Sequence, residues 1–238
     1  MKTIGLLGGM SWESSLEYYR IINQTVREKL GGSHSAPSVM VSLDFAEIET
    51  LQNAGKWGDA AALMVQAARQ IERAGGDFLV ICTNTMHLLA EEVQSKIHIP
   101  LLHIADATAQ AVQTRGLQTL GLLGTRFTME KEFYRGRLID KHGLTVVIPE
   151  QPDREIIHRV IYQELVKGEI REDSRDSYLR VIDGMRERGA QGIILGCTEI
   201  GLLIKQRHLS LPVFDTAEIH ARKAVEIALG DSPIPKVF

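Results

Sequence analysis

The sequence predicts an α/β protein made of two similar halves, each a parallel β-sheet flanked by helices. Apolar runs of strand length alternate along the chain with segments of helical periodicity, which is typical of strands buried on both faces of a parallel sheet. The second half also repeats the first: Thr119–Thr125 (TLGLLGT) matches Thr3–Gly9 (TIGLLGG), with 116 positions from Gly5 to Gly121. A chain of 238 residues can form one large domain or two small ones, and the repeat favours two.

In the first half, the strand Thr3–Leu7 runs into a glycine turn, after which Ser11 or Ser14 caps a helix. A strand, a glycine turn and a helix N-terminus in succession suit anion binding. However, G-L-L-G-G-M lacks the G-x-G-x-x-G spacing, which argues against a nicotinamide or flavin cofactor. The predicted apolar face of this helix consists of Leu16, Tyr19, Ile22, Val26 and Leu30.

The second strand, Ser38–Leu43, is followed by a polar connection over 44–58 that carries Gln52 and is longer than the usual α/β loop. Asp59 is expected to cap the next helix. The remaining predicted elements of this half are a strand at Phe78–Ile81, a helix at about 87–95 and a strand at Ile99–Ile104.

Two further matches extend the repeat. Arg186–Cys197 matches Glu72–Thr83 without a gap at an offset of 114 positions (from 83 to 197). Leu211–Asp215 matches Ile99–His103 at an offset of 112 positions (from 100 to 212). Three ordered matches with slowly drifting offsets indicate two copies of one βαβα unit, and therefore two domains related by pseudo-twofold symmetry.

The repeat also sets the predicted domain limits. We expect a first domain over residues 1–104 and a second over 105–215. The C-terminal segment 216–238, with an amphipathic helix over Glu218–Leu229, is expected to fold back on the first domain, and Ser232–Pro235 is expected to be extended.

Composition and charge exclude several classes of function. A net charge of −3 offers no basic surface for nucleic acid or for a membrane, and no apolar run is long enough to cross a bilayer. A strand at the very start leaves no room for a signal peptide, so a cytoplasmic protein is expected. In that reducing compartment Cys82 and Cys197 are expected to be free thiols.

Chemistry is expected where the buried strand Gly192–Gly196 ends in Cys197-Thr198-Glu199, because ligands of α/β sheets bind beyond the carboxyl ends of the strands. A buried structural cysteine is the alternative. The gapless match makes Thr83, and not Cys82, the counterpart of Cys197, so both would meet in a cleft between the domains. Two proton-transfer groups on opposite faces of a small ligand are what a cofactor-free racemase needs.

Three segments resemble the aspartate/glutamate racemase family of pyridoxal-independent enzymes: G-L-L-G-G-M-S (5–11), T-N-T (83–85) and I-L-G-C-T-E-I (194–200). The likeness covers essentially the whole chain. It implies a pair of four-stranded parallel α/β domains, often a homodimer, with a catalytic cysteine from each domain and no metal or organic cofactor. This sequence departs from the family at Thr83, which stands where the first cysteine is usual, and Cys82 comes one position early.

The resemblance implies L-aspartate or L-glutamate as substrate, with Cys197 as the base for the L-enantiomer. A threonine hydroxyl can donate or relay a proton but has no anionic form near neutrality, so Thr83 is assigned as the donor on the opposite face. The other predicted substrate-binding residues are Asn84, Thr85, Thr125 and Thr198 for the α-carboxylate, Met10 and Gln52 for the side-chain end, Glu199 for the ammonium, and Lys167 as a further carboxylate partner.

Two alternatives stay open at this point. Because one of the two expected thiols is missing, the chain could bind amino acids without turning them over. It could also be a related isomerase or decarboxylase of arylmalonate-like or maleate-like substrates. His87 has two readings as well: it either orients the loop after Thr85 or packs as a half-buried side chain.

Overall fold

The computed structural model describes residues 1–233 and divides the chain into two compact units. Unit 1 comprises Met1–Ile104 and the residues from His220 onward, and unit 2 comprises Ala105–Ile219. Each unit contains a four-stranded, all-parallel sheet with helices around it. The predicted fold class is therefore confirmed. No helix within residues 1–233 is long and apolar enough to cross a membrane.

The sheet of unit 1 has the strand order β2-β1-β3-β4. A 3₁₀ turn at Thr85–Leu89 follows its third strand. Its elements are β1 (Ile4–Gly8), α1 (Trp12–Leu30), β2 (Ser38–Ser42), α2 (Phe45–Asn53), α3 (Trp57–Arg73), β3 (Phe78–Ile81), α4 (Ala90–Gln94) and β4 (Leu101–Leu102).

The sheet of unit 2 has the equivalent order β6-β5-β7-β8. A π-helical turn covers Arg137–Lys141, and 3₁₀ turns cover Leu165–Lys167 and Gln206–His208. Its elements are α5 (Ile104–Thr114), β5 (Thr119–Gly124), α6 (Arg126–Glu130), β6 (Thr145–Val147), α7 (Gln151–Gln163), α8 (Glu172–Glu187), β7 (Gly192–Gly196), α9 (Ile200–Leu203) and β8 (Val213–Asp215), followed by α10 (Thr216–Leu229), which continues into unit 1.

Strand pairing reproduces the register of the sequence repeat. Ile4 of β1 pairs with Phe78 of β3, and Leu120 of β5 pairs with Gly192 of β7. These are the residues that the offsets of 116 and 114 positions make equivalent. The central strands β1, β3 and β7 are buried at every residue, as strands covered on both faces must be.

The turn after β1 depends on a glycine. Gly9 has a φ of +89°, and a Cβ placed there would lie 2.1 Å from the carbonyl oxygen of Leu43. No L side chain fits so close an approach of two backbone segments, so the end of β1 and the residue after β2 are held together. The cap of the following helix is Ser11, whose Oγ accepts a hydrogen bond from the Ser14 N–H at 3.4 Å.

The predicted apolar face of α1 is only half right. Ile22 and Val26 are buried, but Leu16, Tyr19 and Leu30 are 53%, 49% and 45% exposed. The helix is rotated because two serines take the inward positions: the Ser14 hydroxyl donates to the Cys82 carbonyl (2.9 Å), and Ser15 Oγ accepts from the Gly9 N–H (2.8 Å). Hydrogen bonds to the backbone at the strand ends outweigh the apolar periodicity here.

The connection over 44–58 is not a loop. It forms α2, which begins after Asp44, whose side chain accepts from the Ala46 N–H at 3.1 Å. Ile48 and Gln52, four residues apart, are the side chains that this short helix buries. The next helix, α3, begins at Trp57, and Asp59 lies inside its first turn rather than capping it.

Three predicted boundaries also differ. The segment 87–95 is a 3₁₀ turn followed by the one-turn helix α4, and β4 pairs only over Leu101–Leu102. The last helix begins at Thr216, two residues before the predicted Glu218, and ends at the predicted Leu229, before the φ of +88° at Gly230. The predicted extended tail lies outside the described residues from Ile234 on.

Candidate functional site

In unit 1, the end of β3 separates two neighbouring residues. Cys82 is 1% exposed, and its Sγ lies 3.9 Å from the Val80 carbonyl oxygen. Thr83, the next residue, is partly exposed, whereas Asn84 and Thr85 on its other side are buried. Burial raises the pKa of the Cys82 thiol, which leaves that group protonated and inert. Of these two adjacent side chains, only Thr83 reaches the surface of its unit.

A buried histidine holds the backbone of Thr83. The Ile104 N–H donates to His87 Nε2 at 3.3 Å, so that nitrogen is the acceptor. Nδ1 therefore carries the proton and donates to the Thr83 carbonyl at 2.7 Å. His87 is 2% exposed, so these two bonds replace water for the ring. The structure therefore favours the interpretation that His87 orients the loop, and it shows that the ring is fully buried.

Two more buried histidines support this turn. The His103 ring lies 4.7 Å and the His220 ring 5.7 Å from the His87 ring, between centroids. His220, on α10, donates from Nε2 to the Leu102 carbonyl (2.9 Å), and the Tyr18 hydroxyl donates to its Nδ1 (2.8 Å). Through His220, helix α10 thus stabilises the end of β4. Nothing in the local sequence could reveal this cluster, because its members lie up to 202 positions apart.

In unit 2, a thiol and a carboxylate meet directly after β7. Cys197 is 8% exposed and donates its S–H to Glu199 Oε2 at 2.9 Å. The Thr198 hydroxyl donates to the same oxygen at 2.7 Å. The carboxylate is therefore engaged by both residues that precede it. The sequence placed these three residues at one strand end but assigned Glu199 to the substrate ammonium.

Burial is the main reason that the pKa of Cys197 lies well above its usual range. The Glu199 carboxylate raises this pKa further, through its negative charge and through the hydrogen bond that it accepts from the thiol. The backbone N–H groups of Glu199 and Ile200 act in the opposite direction. At rest Cys197 is a thiol, and the groups that would stabilise its thiolate are already beside it.

Four other predicted residues lie in unit 1. Met10 is buried in the apolar core of the unit. Gln52 is buried, and its Nε2 lies 2.8 Å from Met86 Sδ in the turn that follows Thr83. Asn84 and Thr85 start that turn. The structure therefore brings Thr83, Asn84, Thr85 and Gln52 into one region, and Met10 lies in the same apolar core cluster as Met86 of that turn.

Two further predicted residues lie in unit 2. Thr125 is buried and caps α6, accepting from the Thr128 N–H at 3.3 Å. It follows Gly124, which pairs with Gly196, so Thr125 and Cys197 leave neighbouring strands at the same level. Lys167 is exposed at the end of the Leu165–Lys167 turn, which packs against α9 just beyond Cys197.

Known proteins are similar to this chain in both sequence and fold. Residues 7–224 match the sequence profile of the Asp/Glu/Hydantoin racemases. A Yersinia pestis protein proposed to be an Asp/Glu racemase is 53% identical, with a TM-score of 0.91 over 96% of this chain and 100% of that chain. An aspartate racemase homologue from Pyrococcus horikoshii OT3 is 38% identical, with a TM-score of 0.85 over 96% and 100%. The broad-specificity amino-acid racemase RacX of Bacillus subtilis is 22% identical over 173 residues, 70% of this chain and 71% of its own.

Two four-stranded parallel sheets of equivalent strand order make this an α/β protein of two similar units. The chain belongs to the Asp/Glu/Hydantoin racemase family, which its profile matches over most of its length. The predicted family is confirmed.

The buried thiols predict a pH-dependent stability. In the folded state, burial holds the pKa values of Cys197 and Cys82 above the unfolded value of about 8.5. The free energy of unfolding therefore keeps its full value below that pH. Above it the unfolded state releases protons that the folded state keeps, and the free energy of unfolding falls by up to about 1.4 kcal/mol per pH unit for each thiol. Urea titrations from pH 7 to 9, below the range in which unfolded tyrosines ionise, should show this slope, and it should disappear in the Cys82→Ala/Cys197→Ala double variant.

The His87 contacts predict a second stability effect. In His87→Leu the Thr83 carbonyl and the Ile104 N–H lose the ring as partner, at a cost of about 1–3 kcal/mol for each buried group. A clear drop in the urea midpoint is expected. His98→Leu is the matched control, because that side chain is 98% exposed. Equal midpoints for the two variants would show that His87 does not hold the turn.

Proposed function

We propose that this racemase interconverts the enantiomers of aspartate and glutamate without a cofactor and works preferentially from the L-enantiomer. In this proposal Cys197 removes the α-proton and Thr83 returns one to the opposite face of Cα. The observation that carries it is the Cys197 thiol, held 2.9 Å from the Glu199 carboxylate at the end of a buried strand. The family match and the aspartate racemase homologue at 38% identity support the reaction and the substrate class.

Activation of Cys197 is the first step. The thiol proton passes to Glu199 Oε2, to which it already points. The N–H groups of Glu199 and Ile200, which lower the pKa of Cys197, then stabilise the sulfur anion. This assignment makes Glu199 the acceptor of the thiol proton as well as the predicted ammonium partner.

Proton transfer at carbon follows. The thiolate takes the α-proton, so the Cα–H bond breaks, an S–H bond forms, and the electron pair moves into the α-carboxylate. Hydroxyl and N–H donors around that carboxylate stabilise the developing charge, and Thr125, Thr198, Asn84 and Thr85 are the residues we assign to this role. Met10 and Gln52 are assigned to the side-chain end of the substrate, and Lys167 to a carboxylate.

Thr83 completes inversion. Its hydroxyl gives a proton to Cα on the face opposite Cys197 and recovers one from water, and Glu199 releases the proton it took from the thiol to the hydroxide that remains. The anion of a threonine hydroxyl is not populated near neutrality, so proton transfer at Thr83 is the slow half of inversion in both directions. Because His87 fixes the backbone of Thr83, the hydroxyl works from one defined position. We also place the protein in the cytoplasm, a proposal supported by its two free cysteines.

One observation favours a second candidate, a protein that binds amino acids without turning them over. The pKa of Cys197 is raised, so the resting group is a thiol and not a ready base. Heat of binding for L-aspartate, with no loss of its α-proton signal in D₂O, would establish that function in place of catalysis.

The two cysteines should respond differently to substitution. Cys197→Ala removes the proposed base, so exchange of the α-proton of L-aspartate should fall by orders of magnitude. Cys82→Ala is the matched control, because that thiol is buried in unit 1 and has no role in the reaction. Proton NMR in D₂O measures the exchange. Equal losses in the two variants would refute the assignment.

The unequal pair Cys197 and Thr83 predicts unequal half-reactions. Enantiomers are equally stable, so kcat/KM for net inversion must be the same in both directions. Exchange with solvent is not bound by this rule: Cys197 should remove the α-proton of the L-substrate and often return a deuteron to the same face. In D₂O, L-aspartate or L-glutamate should therefore lose its α-proton signal faster than the D-enantiomer accumulates, and the D-substrate should exchange slowly.

Thr83→Cys tests the same asymmetry from the other side. A second thiol supplies a second base, so inversion should become faster from both enantiomers. Thr83→Val is the matched control of similar size without the hydroxyl, and it should slow inversion while leaving exchange of the L-substrate. Equal exchange of the two enantiomers by the unmodified protein would contradict the mechanism.

A further inference from the structure

The hydrogen-bond ladder between β1 and β3 stops directly before Thr83. In a parallel pair the bonds follow one another at even intervals, and the Cys82 N–H donates to the Leu7 carbonyl at 2.9 Å. The next bond of this series would run from the Gly9 N–H to the Cys82 carbonyl. In the structure the Gly9 N–H donates to Ser15 Oγ at 2.8 Å, and the Cys82 carbonyl accepts from Ser14 Oγ at 2.9 Å. Two adjacent side chains of α1 thus bind the two backbone groups that the strands would otherwise have paired.

The Ser14 hydroxyl holds the peptide group between Cys82 and Thr83. Ser14 is 2% exposed and lies in the first turn of α1, where its own N–H donates to Ser11 Oγ at 3.4 Å. A buried carbonyl that loses its donor is costly, so the Cys82 carbonyl stays directed at this hydroxyl. The position of α1 therefore sets the orientation of the peptide group that precedes Thr83.

The peptide group that follows Thr83 is held by His87, whose Nδ1 donates to the Thr83 carbonyl at 2.7 Å. Peptide groups are planar, so a hydrogen bond to the carbonyl orients the whole group. With the planes on both sides of Thr83 fixed, its φ and ψ are fixed as well, and so is the direction of its Cα–Cβ bond. The freedom that remains is χ1, which a β-branched side chain restricts.

Unit 2 holds the equivalent residue in a more local way. The Cys197 carbonyl accepts from the Ile200 N–H at 3.2 Å, within the turn that Cys197 itself begins. The orientation of Thr83, in contrast, depends on a side chain from a distant segment of the chain, 68 positions from Cys82. A change at Ser14 therefore acts on Thr83 and leaves the contacts of Cys197 as they are.

We propose that Ser14 is a positioning residue for proton transfer at Thr83. This inference rests on the proposed function, in which Cys197 takes the α-proton and Thr83 returns one to the opposite face. Reacting atoms must lie about 3–3.5 Å apart and be aligned, and a displacement of about 1 Å can cost on the order of a hundredfold in rate. Without the Ser14 hydroxyl, the Cys82 carbonyl turns toward another donor and carries Thr83 with it. Inversion depends on the position of Thr83, whereas exchange of the L-substrate at Cys197 does not.

Ser14→Ala tests this role, because it removes the hydroxyl and little volume. In D₂O the D-enantiomer should form from L-aspartate about ten- to a hundredfold more slowly, while exchange of the α-proton stays within about twofold. A smaller fraction of folded protein would lower both rates by the same factor, so the ratio of inversion to exchange is the readout. Proton NMR measures exchange, and chiral chromatography measures inversion.

Thr25→Val is the matched control on the same helix. Thr25 is 3% exposed, and its Oγ1 donates to the Ile21 carbonyl at 2.8 Å, about three helical turns beyond Ser14. This variant also loses a buried hydroxyl bound to a backbone carbonyl, but the ratio of inversion to exchange should not change. Ser14→Cys keeps the volume and supplies a weaker donor, so its ratio should fall less than that of Ser14→Ala.

Amide hydrogen exchange tests the same contact without catalysis. Mass spectrometry of a peptide covering residues 78–85 should show faster exchange in Ser14→Ala than in Thr25→Val. Unchanged amide exchange in this peptide, or the same ratio of inversion to exchange in Ser14→Ala as in Thr25→Val, would overturn the role of Ser14 and leave the proposed function standing. An unmodified protein that exchanges the α-proton of neither enantiomer would refute the proposed function, and the role of Ser14 with it.

Discussion

Burial of the central strands on both faces is the constraint on which this structure depends. β1, β3 and β7 have no exposed residue, so every group that could do chemistry must leave the sheet at a strand end. The equivalent registers of β1 with β3 and β5 with β7 then fix which residues emerge there. Thr83 follows one central strand and Cys197 the other.

The strand ends are fixed by buried side chains that form hydrogen bonds with the backbone, at positions where apolar packing would be usual. Ser14 and Ser15 bond to the backbone after β3 and β1, and His87 and His220 bond to carbonyls of Thr83 and Leu102. A buried carbonyl without a partner costs about 1–3 kcal/mol, so each of these side chains has a defined orientation. A hydroxyl that must donate from one face gains from such a rigid support.

The fold could be predicted from the sequence because its signals are local and repeated. Each buried strand is a short apolar run, and the repeat supplied the register that strand pairing shows. The features that the sequence did not predict depend on competition between hydrogen bonds and apolar packing, or on contacts between residues far apart in the chain. The periodicity of α1 favoured Leu16 and Tyr19 over Ser14 and Ser15, but hydrogen bonds to strand ends decided which side faces inward. The short helix α2 was obscured by its polar composition.

The sequence proposes the members of the candidate site but gives no information on their contacts. A gapless repeat identifies Thr83 and Cys197, yet only the turn after β7 shows that Glu199 folds back onto Cys197. That contact adds a step to the proposed reaction. A thiol buried against a carboxylate is stable as an acid and must give up its proton before it can act as a base.

The contact between Cys197 and Glu199 also accounts for the direction of the proposed asymmetry. In the proposed mechanism the base of unit 2, Cys197, lies against a proton acceptor, whereas the contact that positions Thr83 is made by its backbone carbonyl. In the proposed reaction Cys197 both takes and returns a proton readily, whereas the weakly acidic hydroxyl of Thr83 exchanges protons with Cα slowly in either direction. The two units therefore differ in one respect: in unit 2 a carboxylate lies beside the proposed reacting atom. This difference follows from Cys197 and Glu199, which stand where unit 1 has Thr83 and Thr85.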